Sequence, residues 1–557
     1  MKECRQGAAD NAHAAVNAHA AEKGSAAENA SAADKGSAKR VLIANRGEIA
    51  CRVIGACNEL GLESVAVFAK DDALSPHVAK ADLVFQLEGE GPAETYNSIE
   101  AIVSAAKEMD CWAIHPGYGF LAEKAHFASA VEEAGIEFIG PRPETLALLG
   151  DKIASTQAAR DEKLPILGQS DLLESIEQAR EEAEKIGYPL LVKSPLGGGG
   201  LGCHLAENGE QLQDAFNSSA SQGKNLYGSA SVYLERYVKS ARHIEVQTMG
   251  DGFGKVIHVG TRECSIQRRR QKVIEEAPAQ RLSEKTREAL HKAALRLAGS
   301  LKLRSAATVE FLVEDDEFWF LEVNPRIQVE HPVTELVYGV DLVKEQLKVA
   351  LGEGLSISGD GSGSDGSGGD GSGSDGSGSD GSGSDGGGRG VLPRGYAIEA
   401  RVYAEDSETF VPSPGKICCY EPPLGPGLRV ESGVNSGFTV TPFYDPLLAK
   451  VIAWGSSKEE ASRRLAIALR SFVINGTLKT NVELLTSILR STWFAQGQYD
   501  TTTLEKTKVL SPLPDSLAEL AAKLATYHDE KEKSQGSSKG TKGRSSQWKN
   551  NVWRSLP

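Results

Sequence analysis

The sequence predicts a multidomain protein combining α/β and α+β parts, and three observations carry that prediction. The chain has 557 residues, more than one hydrophobic core accommodates, so two or three domains are expected. Its globular part opens at residues 40–68 with a strand–helix–strand pattern, the start of a parallel sheet. Further on, residues 306–313 and 318–323 are β-rich runs separated by Glu314-Asp-Asp-Glu317, which reads as an antiparallel hairpin.

Composition narrows the class. A formal charge of −15 argues against a nucleic-acid binder, and no apolar run is long enough to span a bilayer. Eight cysteines form no Cys-x-x-Cys pair, and several sit inside apolar patterns. Buried, reduced thiols are expected, which suits the cytoplasm, with a mitochondrial or plastid compartment as the alternative. Residues 1–38 are Ala-rich, with Glu3, Asp10, Glu22, Glu28 and Asp34 interspersed. They lack the apolar core of a secretory signal and the acid-poor, Arg-rich character of a transit peptide, so a disordered tail is expected.

Val41 to Ala44 reads as a buried strand, Asn45-Arg-Gly47 as a turn, and the following run to about Leu60 as a helix. Ser64 to Phe68 is the next strand. No GxGxxG follows the first strand, so dinucleotide binding is not supported. Gly47, Gly117 and Gly119 are read as turn residues chosen for backbone freedom. After Phe138-Ile-Gly-Pro141 the chain changes domain, and Gly150-Asp-Lys152 precedes a helical run. Residues 188–193 form a strand ending in Lys193, followed by Ser-Pro-Leu and four glycines that include Gly199 and Gly200. Such a run is either a linker or a mobile loop whose N–H groups wrap an anion, and its place after a strand ending in Lys favours the loop. It is not a Walker loop, since no Gly-Lys-Ser/Thr follows.

Residues 322–330 alternate polar and apolar: Glu322, Asn324, Arg326, Gln328 and Glu330, with Val323, Pro325, Ile327 and Val329 between them. An extended chain would put every polar member on one side. With the hairpin centred on Asp316, Glu310 falls directly opposite Glu322; a two-residue loop would shift the pairing by one. Like charges facing across a ladder need something between them, and a hard cation held by Glu310, Glu322 and Asn324 would serve. Arg326 would lie just past it, placed for an anion.

Residues 358–390 are nearly all Gly, Ser and Asp. They cannot bury a core and read as a flexible insertion; calcium-binding repeats would need an apolar position that is missing. Strands with turn residues resume near Tyr396, a helix covers about residues 459–473, and a polar, Lys-rich tail follows Tyr527. The domain limits read from the sequence are 1–38 tail, 39–150, 151–355, 356–391 insertion, 392–510 and 511–557 tail.

From about Lys39 to Leu504, apart from the insertion, the chain resembles the biotin carboxylases, the ATP-grasp component of biotin-dependent carboxylases. The likeness rests on Ala-Asn-Arg-Gly-Glu-Ile-Ala50, Ala113-Ile-His-Pro-Gly-Tyr-Gly-Phe-Leu-Ala-Glu123, residues 232–238, residues 264–278 and residues 322–335. It implies an N-terminal parallel-sheet domain, a central ATP-grasp domain with a mobile lid, and a C-terminal α+β domain. It implies ATP at Lys152, Lys193, Gly199, Gly200, Glu235, Arg236, Val238, His243 and Gln267. Magnesium or manganese would sit at Glu310, Glu322 and Asn324. Bicarbonate would sit at Lys272, Arg326, Gln328 and Val329, with Glu330 as the base, and biotin near Tyr118 and Arg429.

The resemblance further implies a homodimer acting on biotin that a separate carrier presents, with a carboxyltransferase on another chain or a missing part. None of Met1, Met109 and Met249 lies in the Ala-Met-Lys-Met type of turn that carries biotin, so none is expected on this chain. Two positions depart from the common family pattern. Leu201 stands where a basic residue is frequent, and an aliphatic residue there resembles the urea carboxylase branch; Arg270 stands where His or Asn is frequent. Urea is therefore the favoured final acceptor, with acyl-CoA or pyruvate carboxylation as the alternative. A catalytically silent nucleotide-binding subunit is the non-enzyme alternative.

Overall fold

The structure is a computed structural model that describes residues 38–195, 202–357, 391–507 and 509. Residues 1–37 and 511–557, read above as tails, the insertion at 358–390, and Gly199, Gly200 and Leu201 lie outside the described residues. Among the described residues, no helix is long and apolar enough to cross a membrane.

The opening pattern folds as expected. β1 (Arg40–Ile43), β2 (Glu63–Phe68), β3 (Leu83–Gln86), β4 (Ala113–His115) and β5 (Glu137–Phe138) form a parallel sheet in the order β3-β2-β1-β4-β5. Alternate residues of β1 enter two separate cores. Val41 and Ile43 pack with Ile49, Val53 and Ile54 of the helix Gly47–Glu59, while Leu42 packs with Phe127 and Phe138. A sheet covered on both faces needs a continuous apolar run, which Val41-Leu-Ile43 supplies. Gly47, Gly117 and Gly119 have φ of 67°, 62° and 68°, the left-handed region that glycine enters without steric cost.

β6 (Leu190–Lys193), β7 (Cys203–Ala206) and β8 (Tyr233–Arg236) make a small antiparallel sheet in the order β7-β6-β8. Next come β9 (Arg242–Asp251), β10 (Val256–Arg268), β11 (Gln271–Ala277), β12 (Arg304–Glu314), β13 (Glu317–Asn324) and β14 (Tyr396–Tyr403). They are followed by β15 (Gly415–Glu421), β16 (Leu428–Ser432), β17 (Thr439–Val440), β18 (Leu447–Gly455) and β19 (Val473–Gly476). One eight-stranded sheet, β13-β12-β9-β10-β11-β14-β18-β16, runs unbroken through the central and C-terminal parts of the chain. Ile244, Val246, Val309, Phe311 and Val323 bury one face against Leu290 and Leu297 of the helix Glu284–Ser300. Strand alternation sends the intervening polar side chains to the other face.

Two details of the hairpin differ from expectation. Its loop has two residues, since Glu314 pairs with Glu317, which by itself would shift the register by one. An irregularity between Glu310 and Phe311, with Leu321 as the extra residue on β13, shifts it back. Glu310 therefore does face Glu322, through a short loop compensated by a bulge. The second difference is a correction: the strand does not continue to Glu330. It stops at Asn324, because Pro325 has no N–H for the ladder and Arg326 turns its N–H back to the Asn324 carbonyl at 2.9 Å. A helix then begins at His331, with Pro332 in its first turn.

Candidate active site

Register partners point the same way, so the polar face of the large sheet can be read row by row. Across β10, β9, β12 and β13, one row contains Arg262, Glu245, Glu310 and Glu322. The next contains Gln247, Thr308 and Asn324. Three carboxylates side by side demand cations. Lys272, from β11, meets this demand: its Nζ donates to Glu245, to Glu310 at 3.1 Å and to Glu330 at 2.7 Å. Arg262, at the other end of the row, is fully buried and donates to Glu245 and Gln247 at 2.8 and 2.7 Å, and to Gln328.

Lys272, Glu310, Glu322, Asn324, Gln328 and Glu330 line a cleft of about 750 Å³. Its walls include Lys152, Lys193, Glu235, Arg236, Val238, His243, Gln267, Lys272, Glu310, Glu322, Asn324, Arg326, Gln328, Val329 and Glu330. Nearly all the expected site residues thus converge, although they come from widely separated strands. At one end Lys193 is ion-paired with Glu235, its near neighbour across β6 and β8. Beside them Gln267 Nε2 lies 3.5 Å from His243 Nδ1, while His243 Nε2 is 2.8 Å from Glu310 Oε2. Lys152 opens the helix Lys152–Asp161, whose N-terminus Asp151 caps by accepting from Ile153 and Ala154 at 2.9 and 3.1 Å.

The expected metal ligands share one corner. Asn324 Nδ2 donates to Glu310 at 2.8 Å and reaches Glu322 at 3.5 Å, so the amide bridges the opposed carboxylates. Burial, and then the charge of Glu310, raise the pKa of Glu322. Glu310 itself is pushed up by burial, but Lys272 and His243 outweigh that and hold it well below the usual carboxylate range. The fit to a hard divalent ion rests on Glu322, a carboxylate kept half-buried against a like charge with only an amide between them. Arg326 lies at the rim, donating to Glu123 at 2.5 Å and to the Asn324 Oδ1 at 3.0 Å.

Glu330 is almost fully buried, at 1% exposure. It accepts from Lys272, and from Arg401 at 3.0 Å. Burial would raise its pKa, but Lys272, then Arg401 and Arg262, hold it well below the ordinary range. Lys272 is lowered by burial and raised well above its usual value by Glu245, Glu310 and Glu330.

Tyr118 and Arg429 do not line this cleft. They belong to a second ionic cluster where the N-terminal helix meets β16 and β18. Tyr118 donates to Glu48, and Lys450 contacts Glu48 at 3.2 Å and Glu431 at 2.7 Å. Arg429 donates to Glu431 at 2.9 Å through Nε and to Glu335 at 2.7 Å. The two clusters meet where Lys450 Nζ donates to the Val329 carbonyl at 2.8 Å and where Lys450 pairs in register with Arg401.

The match to known families follows this geometry. Residues 37–146 match the family described as biotin carboxylase, N-terminal domain. Residues 151–358 match carbamoyl-phosphate synthase L chain, ATP binding domain, and residues 399–506 match the biotin carboxylase C-terminal domain. A biotin carboxylase of Allochromatium vinosum is 42% identical over 458 residues, covering 82% of this chain and 95% of that protein. The chain belongs to the biotin carboxylase family.

Solved structures agree. The biotin carboxylase domain dimer of Hydrogenobacter thermophilus 2-oxoglutarate carboxylase, in complex with MgADP, ADP and bicarbonate, superposes with a TM-score of 0.76 at 40% identity. The match covers 84% of this chain and 97% of that one. Campylobacter jejuni biotin carboxylase, as a β-γ-ATP complex, gives 0.77 at 37% identity over 85% and 99% of the two chains. Urea amidolyase of Saccharomyces cerevisiae is 42% identical over 456 residues, which is 81% of this chain but 23% of that protein. The three family matches together fit the expected three-part α/β and α+β architecture of an ATP-dependent ligase.

Sequence reading missed Glu245, Arg262 and Arg401. Glu245 and Arg401 were accessible by counting in twos, whereas Arg262 sits in Gly260-Thr-Arg-Glu263, which does not alternate. Arg242-His-Ile-Glu-Val-Gln247 alternates as plainly as residues 322–330, and so does Tyr396-Ala-Ile-Glu-Ala-Arg401.

Proposed function

We propose that this chain carboxylates carrier-bound biotin, using ATP and bicarbonate, through carboxyphosphate. The observation that carries the reading is the meeting of Lys272 and Arg401 on the buried Glu330. A carboxylate between two cations is a poor base at rest. Bicarbonate held beside Lys272, Arg326, Gln328 and Val329 would add a negative charge next to Glu330 and raise its proton affinity. Glu330 would then take the bicarbonate proton. The adenine edge would meet Glu235, Arg236 and Val238, with His243 and Gln267 at the ribose and phosphate side. Lys152, Lys193, Gly199 and Gly200 would hold the phosphates.

Glu310, Glu322 and Asn324 would hold magnesium or manganese, which would neutralise phosphate charge during transfer. Near Tyr118, Arg429 would stabilise the biotin enolate-like oxyanion formed once phosphate removes the ureido proton. Arg429 would first have to leave Glu335 and Glu431, so biotin binding would open the second ionic cluster.

The domain limits 39–150, 151–355 and 392–510 are proposed on the same reading, as are the homodimer and a cytoplasmic location. The relatives include biotin carboxylases and pyruvate, 2-oxoglutarate and urea enzymes. We favour urea as the final acceptor on the aliphatic Leu201. The test is one activity screen across urea, acyl-CoA esters, pyruvate and 2-oxoglutarate, with the cell's own carrier and carboxyltransferase supplied. Turnover with urea alone is expected, and turnover with another acceptor alone would replace that choice.

A further inference from the structure

Behind Glu330 lies a pair of carboxyls that the proposed reaction leaves unused. Glu275 on β11 and Glu399 on β14 are direct register partners, so their side chains share one face of the sheet. Both are fully buried. Among the described residues, none donates a hydrogen bond to Glu275 Oε2 or to either carboxyl oxygen of Glu399. Three buried carboxyl oxygens without a donor, on two facing residues, are costly if both groups are ionised. A proton on one acid supplies the missing donor to the other, as in other closely placed carboxyl pairs.

The pair is wired to the base. The same Arg401 Nη2 lies 2.5 Å from Glu275 Oε1 and 3.0 Å from Glu330 Oε2. Glu275 and Glu330 therefore compete for one guanidinium. Among the described residues, the charged groups that act on Glu399 are Glu275 on β11, Arg401 on its own strand, Lys450 on β18, and Glu330 just before the helix His331–Tyr338. Lys450 is already committed to Glu431, Glu48 and the Val329 carbonyl, so it does not satisfy Glu399.

We propose that Glu275 and Glu399 share a single proton at neutral pH and, through Arg401, set the pH at which Glu330 works as a base. Glu399 is a positioning residue in this scheme: its O–H holds Glu275 as the ionised partner of Arg401, which keeps part of the guanidinium charge away from Glu330. Burial, opposed by Arg401, brings Glu275 up to about 7, and burial outweighs Lys450 to keep Glu399 well above the usual carboxylate range. The proposal rests on the reading of Glu330 as the base, but its first test does not.

That test is infrared spectroscopy of the full chain in D₂O buffer at pH 7.5. The wild-type minus Glu399→Gln difference spectrum is expected to show the carbonyl stretch of one buried protonated carboxyl, over a background from Glu48 and Glu405, which burial raises to about 7. No carbonyl-stretch difference between the two proteins would overturn the pair. The second test is the pH dependence of bicarbonate-dependent ATP hydrolysis. Glu399→Leu removes the donor, so Glu275 takes a proton at higher pH and Arg401 turns fully to Glu330. With the whole guanidinium on it Glu330 is too weak a base, so activity follows the ionised form of Glu275, and the acid limb should rise by about one pH unit, a tenfold loss one unit below the wild-type midpoint. Glu399→Gln, whose amide N–H replaces the acid O–H, should restore the limb. If Glu399 were instead an ionised partner of Lys450, the Gln and Leu variants would behave alike, and that result would overturn the proposal. Should Glu399→Leu fail to fold, the infrared comparison decides alone.

Discussion

Replacing Glu330 by Gln isolates proton acceptance from shape. The carboxylate accepts from Lys272 at 2.7 Å and from Arg401 at 3.0 Å. An amide oxygen can keep one of these bonds, but its NH₂ would face the other cation. One charge-assisted hydrogen bond is lost, on the order of 1.5–3 kcal/mol. Lys272 retains Glu245 and Glu310, so the row across the sheet stays neutralised and the fold should persist. Glu235, assigned to the adenine, is ion-paired with Lys193, which is not a partner of Glu330. Removing a general base costs roughly 10²–10⁴-fold in rate. Carboxylation by Glu330→Gln should fall by about that factor, while ATP affinity measured by calorimetry stays within about threefold of the wild type. A matching loss of ATP affinity would assign Glu330 to structure or metal binding instead, and a rate loss under tenfold would remove it as the base.

Three further outcomes follow from the geometry. Glu322→Gln removes one of the two carboxylates assigned to the metal, so the magnesium concentration for half-maximal ATP hydrolysis should rise at least about tenfold; an unchanged requirement would refute the assignment. His258 and His291 stack at 3.8 Å between ring centroids, and burial lowers them to about 4 and about 3. Their folded values lie below the unfolded value near 6.5, so their contribution is complete above it and falls away as pH drops from about 6.5 toward 4; Tm measured from pH 7.5 to 5 should fall less steeply in His258→Gln than in the wild type. After expression with an active biotin ligase and denaturation, the chain should give no streptavidin signal at its full-length mass, and a strong band there would contradict supply of biotin in trans.

The parts of the fold most legible in the sequence were those where periodicity and burial coincide. Val41-Leu-Ile43 reads as a two-sided buried strand and is one, and the alternation in residues 306–323 gave both strands of the hairpin. The bulge at Leu321 was not legible, because nothing in Phe-Leu-Glu marks an extra residue; the register came right through two offsetting departures. The strand was carried too far beyond Asn324 because the polar alternation continues to Glu330, although Pro325 was the available stop signal. The site residues nonetheless converge, since the loop at 325–330 folds Gln328 and Glu330 back over the same row of carboxylates. Tyr118 and Arg429 were placed with the rest by likeness alone, and the geometry sets them in a neighbouring cluster held by Glu48, Glu335 and Glu431. Salt-bridge partners of that kind depend on which strands become neighbours, which local pattern does not encode.

The central claim is that bicarbonate attacks the γ-phosphate of ATP in this cleft, and oxygen-18 tests it most directly. Bicarbonate labelled in all oxygens, supplied with ATP, magnesium and the biotinylated carrier, would form carboxyphosphate whose bridging oxygen stays with phosphate when carbon dioxide leaves. Mass spectrometry of the released phosphate should show one labelled oxygen per turnover, with none when bicarbonate is omitted. Phosphate released at the same rate without label would mean that water is the nucleophile, and would contradict the account.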